Sequence, residues 1–99
     1  MNQQAMMRQI KKLQQEMLDT QQEIEQTEFT KSVGPVTILM LGNKEMKKIT
    51  IDPNYNIEDA DDLAMLEDSI VATQNGLISE IDKYTEEKMG KYRSMLGGF

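Results

Sequence analysis

The side chains with chemistry to offer in this chain are charged ones: eleven lysines and arginines against seventeen aspartates and glutamates, with no histidine and no cysteine. Without cysteine there is no disulfide, thiolate metal site or thiol nucleophile. Without histidine the commonest general base and the commonest metal ligand are missing. Carboxylates could still pair as acid and base, but nothing in the sequence brings two of them into an apolar pocket. An enzyme is therefore not expected, and neither is a cofactor, a metal or a small-molecule substrate. The cations have another use, which is contact with phosphates, each contact releasing counterions.

Those cations fall in groups. Arg8, Lys11 and Lys12 lie near the start of the chain, Lys44, Lys47 and Lys48 in its middle, and Lys83, Lys88, Lys91 and Arg93 near its end. Ordinary solvated charge is the plain explanation, and lysines near a helix C-terminus also complement its dipole. The net charge of −6 argues against nonspecific nucleic-acid binding only as an average. The average conceals blocks: residues 51–82 carry nine acids and no base, whereas residues 83–99 carry four bases and two acids. A protein of this kind can be acidic overall and still present a basic face. There is no zinc-finger spacing, helix-turn-helix or RNP aromatic motif, so phosphate contact without a base reader predicts weakly specific binding.

The acidic stretch Asp52 to Asp68 invites a calcium loop and fails the test. With Asp52 first, Asn54 and Asn56 fit. The sixth position is then Ile57 where glycine is needed, and the twelfth is Leu63 where glutamate is needed. Helix capping and a solvated face explain these acids.

Ninety-nine residues make one domain, and a domain this small is only marginally stable alone. No apolar run approaches the roughly 20 residues of a membrane span, and no signal-peptide core opens the sequence. A cytoplasmic protein is expected. Met6, Ile10, Leu13, Met17 and Ile24 form a heptad-like stripe with Thr20 as a polar interruption, predicting a first helix over 1–28. Val36 to Leu41 and Met46 to Asp52 read as strands, with turns at Gly34-Pro35 and Gly42-Asn43 and a stop at Pro53. Phe29 starts a further strand, giving a small sheet over 29–53. Asn56 or Asp59 can cap a long helix over 56–95, whose stripe is Leu63, Leu66, Ile70, Leu77, Ile81 and Tyr84. Asn75-Gly76 is its soft point, and 96–99 is a flexible tail. Two amphipathic helices around so small a sheet have more apolar face than one chain can bury, which predicts a dimer. The nine methionines suit an adaptable subunit seam better than a ligand pocket.

The order helix, short sheet, acidic turn, long helix resembles the YbaB/EbfC family of bacterial nucleoid-associated proteins. The resemblance is carried by Met7-Arg8-Gln9 through Lys12-Leu13-Gln14 with Met17, by Gly42-Asn43 and Lys47 to Pro53, by Asp61 to Ile70 with Ala72 and Asn75, and by Glu86 to Gly90. It implies a cytoplasmic, tweezer-like homodimer that binds double-stranded DNA and associates with the nucleoid. Carried onto this chain, the DNA-contacting helices imply Arg8, Lys11, Lys12, Lys88, Lys91 and Arg93. The glycine-rich connection of the family is reduced here to Ser32-Val33-Gly34-Pro35, which predicts a shorter first hairpin.

The expectation is an α+β domain with an N-terminal helix, a three-stranded antiparallel sheet and a long C-terminal helix, completed by homodimerisation. Val36, Ile38, Leu39, Ile49, Ile51, Leu66 and Ile70 are the candidate dimer interface. The acidic middle would stay away from the phosphates and limit affinity. Two arrangements of the helices stay open: basic ends meeting only across the dimer, or a first helix running outward from strand one. The alternative function is a prefoldin-like or coiled-coil protein-interaction subunit without DNA binding.

Overall fold

The computed structural model describes residues 2–97. The far end of the expected tail, residues 98 and 99, lies outside them. The elements run α1 (Gln3–Gln26), β1 (Glu28–Val33), β2 (Val36–Leu41), β3 (Met46–Ile51) and α2 (Ala60–Met95). The three strands form one antiparallel sheet in the order β1-β2-β3.

Each turn has a local cause. Gly34 holds φ at +56° as the first residue of the two-residue loop between Val33 and Val36, a position that favours glycine before proline. The second turn places Lys44 at φ +71°. Asn43 supports it by accepting the Glu45 backbone N–H on its side chain at 2.8 Å. A bulge beside Met40 leaves Lys47 as the extra residue of β3. Asp52 then accepts the Asn54 N–H at 2.9 Å, turning the chain towards α2.

Asp59, not Asn56, is the N-cap of α2, accepting the Asp62 N–H at 2.9 Å, while Asp62 accepts the Glu58 N–H at 2.9 Å. Asp59 and Asp62 are therefore occupied as caps. From there α2 runs unbroken for 36 residues, about 54 Å. It does not break at Asn75-Gly76. Gly76 instead leaves room for Lys31, which crosses it so closely that a Cβ there would stand 2.6 Å from the lysine Cε.

Val36, Ile38 and Met40 alternate inward from β2 and are fully covered by Leu66, Leu77 and Ile81 of α2. The gap in the expected stripe is filled by Thr73, fully buried, whose hydroxyl donates to the Ser69 carbonyl at 2.6 Å. Leu63, expected on the stripe, is 47% exposed. Lys31 pairs with Glu80 at 2.8 Å and Phe29 meets the Tyr84 ring edge-on at 5.3 Å, so α2 runs antiparallel to β1.

Beyond the sheet α2 continues along α1. Ile24 packs on Met89 and Tyr92, and Met17 joins them. Farther out, Ile10, Gln14 and Met17 face Met95 and Leu96 across a groove. The helices are therefore antiparallel, and the molecule is a rod of 73 × 19 × 13 Å with the sheet near one end. The junction of α1, sheet and α2 is closed by Gly42, whose N–H donates to the Thr27 carbonyl at 2.9 Å.

Two glycines separate cleanly in their expected tolerance. A Cβ on Gly42 would sit 1.7 Å from the Ile24 backbone carbonyl oxygen, which cannot move aside. Gly42→Ala should cost about 3 kcal/mol. Gly76→Ala meets only the flexible end of Lys31 and gains helix propensity, so the net change should stay within about 1 kcal/mol. Urea unfolding of the two variants checks the contrast.

Candidate nucleic-acid interface

The antiparallel seam resolves the question of where the basic groups lie. Arg8, Lys11 and Lys12 are near the outer end of α1, and Lys88, Lys91 and Arg93 are on the part of α2 packed along α1. All six therefore stand towards the same end of one rod. Helix one runs outward from strand one, the second of the two arrangements. Residues 2–15 and 88–97 carry these six cations and no acid, while five cations and seventeen acids make up the rest of the chain.

The seam that positions them mixes apolar and polar contact. Ile24, Met89 and Tyr92 are buried there. Thr20, the polar interruption of the stripe, shares a hydrogen bond of 3.2 Å with the Tyr92 hydroxyl. That bond satisfies two polar groups that the seam would otherwise desolvate. The tyrosines also carry the lysines. The Lys91 ammonium stands 5.0 Å from the centroid of the Tyr92 ring and the Lys88 ammonium 5.5 Å from that of Tyr84. Both lysines line a cleft with Thr20, Glu23, Ile24 and Thr27. Arg93 lies on the opposite flank of the seam, beside Met17, Gln21 and Thr85. At 100° per residue Lys12 continues the flank of Glu23, while Arg8 and Lys11 lie away from the seam. Arg8 and Lys11 share a shallow groove with Gln4 and Met7.

The six cations differ in how free they are. Among the described residues, no ion pair involves Arg8, Lys11, Lys12, Lys88 or Lys91. Arg93 donates to the Glu86 carboxylate two helical turns earlier. That hydrogen bond, and then the charge of Arg93, hold the Glu86 carboxyl below its ordinary value and push the guanidinium up. Lys44, in the second turn, is tied to Asp82 at 2.6 Å.

The expected interface residues divide. Val36 and Ile38 are 0% exposed within the protomer and Leu66 is buried beside them. Leu39 lies on the opposite face of the sheet, paired with Thr30 and Lys48. Ile49 and Ile51, each 41% exposed, lie on the same face as Ile38 and Val36, but α2 covers β1 and β2 and leaves β3 open. All six residues of β3 are exposed. Ile70 is half-buried against the core. Sequence reasoning missed the tyrosine platforms and the hold of Glu86 on Arg93. The spacing of seven residues between Glu86 and Arg93 was a usable signal for the latter. The platforms needed the fold.

A slender α+β chain whose helical end gathers cations has the form of a polyanion-binding protein. Residues 1–96 match the YbaB/EbfC DNA-binding family, and the chain belongs to that family. A nucleoid-associated protein of Lactococcus lactis subsp. cremoris is 38% identical over 94 residues, covering 93% of each chain. One of Streptococcus suis is 36% identical over 98 residues, covering 97% of each. One of Enterococcus faecalis is 33% identical over 100 residues, covering 99% of this chain and 94% of its own. The family is a DNA-binding one, not a catalytic one. Among the described residues no helix is long and apolar enough to cross a membrane.

The Glu86–Arg93 pair sets a sign. A carboxyl held low in the folded state adds stability above its unfolded pKa, and that stability is lost as pH falls through the folded value. Wild type should therefore exceed Glu86→Gln slightly in urea midpoint at neutral pH, the pair being exposed. The difference should close below the ordinary carboxylate range. Urea titrations of both proteins from neutral to acid pH read it directly.

Proposed function

We propose that this protein binds double-stranded DNA as a homodimer, with Arg8, Lys11, Lys12, Lys88, Lys91 and Arg93 on phosphates. It would do so in the nucleoid, organising DNA and influencing gene expression. The observation that carries this reading is that six cations stand on the helical part of the rod, three of them, Arg8, Lys11 and Lys12, at a tip with no acid before Glu16, although Glu23 shares the cleft of Lys88 and Lys91 and Glu86 holds Arg93. Family membership and the names of the relatives support it. Arg8, Lys11 and Lys12 contribute most, having no acid near them in the chain before Glu16, whereas Lys88 and Lys91 share a cleft with Glu23 and Arg93 must first leave Glu86.

The homodimer is supported by surface that one protomer leaves bare. Ile49 and Ile51 sit on the open strand, and Ile57, Leu63 and Val71 are about half exposed on the approach to α2 and its first turns. Ser69 and Glu80 face β1. Leu63, Ile70 and Val71 lie on the other flank of the helix, towards β3. This is the apolar continuation of a core too small to stand comfortably alone.

The acidic cap lies about 45 Å along α2 from Lys91 at ~1.5 Å per residue. That is several times the Debye length of roughly 8 Å at physiological salt. Within one protomer Asp59, Asp61 and Asp62 are therefore screened from the phosphates. They temper affinity only if dimerisation sets them beside the partner's cations.

Two measurements test the reading. Fluorescence anisotropy on duplex DNA at several salt concentrations should show affinity falling steeply with salt. Changing Arg8, Lys11 and Lys12 together to Ala should weaken binding at least tenfold and flatten the slope by about 0.9 for each phosphate no longer neutralised. A salt-independent or absent interaction would move the assignment to a protein-interaction subunit. For assembly, sedimentation should give a dimer for the wild type and a folded monomer for Ile49→Glu/Ile51→Glu. A dimer indifferent to both changes would place the seam elsewhere.

A further inference from the structure

The apolar line of α1 outruns its partner. Ile24 is 5% exposed, Leu13 and Met17 are half-buried, Ile10 is 41% exposed and Met6 51%. These residues lie on one stripe, so the gradient arises because α2 ends opposite Ile10. The first turns of α1 then project roughly 10 Å farther. Met7 (59% exposed) and Met95 (61%) stand at the same end. Apolar side chains grouped at one tip are a surface that a partner can cover with gain. Their neighbours say which partner: Arg8 and Lys11 share a groove with Met7, and Lys12 follows one residue on, with no acid before Glu16. At 100° per residue Arg8 and Lys11 fall on the side of α1 away from Met6, with Met7 between, so the tip sets an apolar edge beside a face of cations that are in no ion pair among the described residues. Such a tip is complementary to a polyanion with a stacked apolar interior.

We infer that Met6 and Met7 form a wedge that enters a base step of duplex DNA from the minor groove, while Arg8, Lys11 and Lys12 hold the flanking phosphates. This deepens the DNA-binding reading and rests on it. Apolar side chains inserted in this way unstack the step and kink the duplex. The gain from covering the methionines offsets part of the cost of unstacking. Steps that unstack readily, such as TA and CA, would be preferred, so a protein without a base-reading motif would still favour some sites.

The test uses full-length protein and a mixed-sequence duplex with a donor–acceptor pair on its ends and 2-aminopurine at a TA step. Wild type should bring the ends closer and raise the 2-aminopurine fluorescence. Met6→Gln/Met7→Gln keeps the helix, since glutamine is a good helix former at exposed positions. It should keep the salt slope, lose the bending and bind about tenfold more weakly. Met6→Leu/Met7→Leu, apolar still, should bend like the wild type. Wild-type binding without bending or unstacking overturns the wedge and leaves DNA binding intact. Equal bending by the glutamine variant also overturns it. So does a smaller assembly of that variant in sedimentation, which would make the tip a contact between copies of this chain. Absence of any wild-type binding overturns both readings at once.

Discussion

Everything in this protein depends on α2 being one helix with two partners. Its first half covers β1 and β2, and its second half covers α1. Because it does not bend at Gly76, the direction of the sheet is transmitted to the outer seam. The position of every cation along the rod then follows from helix geometry. The glycine that looks like a weak point is the place where Lys31 crosses the helix on its way to Glu80. A side chain there would push the sheet-facing lysine aside, so conformational freedom is not what the position requires.

The same helix separates charge. Acids at its start cap it and complement its dipole, and Arg93 sits in its last turn. What suits one helix electrostatically thus also sorts charge along the molecule. Helix one departs from this rule: its first turn holds no acid, and Arg8 follows close behind. Arg8 lies in the second turn, where the dipole has already weakened, so its charge costs the helix little.

Much of this was legible in the residues. The continuous aliphatic run Val36 to Leu41, the alternation from Met46 to Asp52, Phe29 and the turn pairs placed the three strands, and the stripe from Met6 to Ile24 placed the first helix. Leu66, Ile70, Leu77 and Ile81 marked the face of the second. Thr20 read as an interruption and Thr73 was left off the stripe because hydropathy ranks them polar, yet each has a hydrogen-bond partner that makes burial tolerable. Val36 and Ile38 suited a dimer seam equally well from sequence, since an apolar strand face does not state which element covers it. The direction of α1 was out of reach. It depends on Gly42 and Asn43 meeting Thr27 and Glu25, a pairing without a sequence pattern of its own.

The thinning of the seam towards the tip has a consequence for motion. Amide protection tracks the burial around each segment, so opening should be costliest near Leu77 and Ile81 and cheapest in the first turns of α1. The tip that carries Arg8, Lys11 and Lys12 is thus the part of the fold with least holding it. A partner gripped there must first order it, and that entropic cost lowers affinity while leaving encounter fast. Such an arm suits brief, repeated contacts along a long polymer better than a fixed embrace.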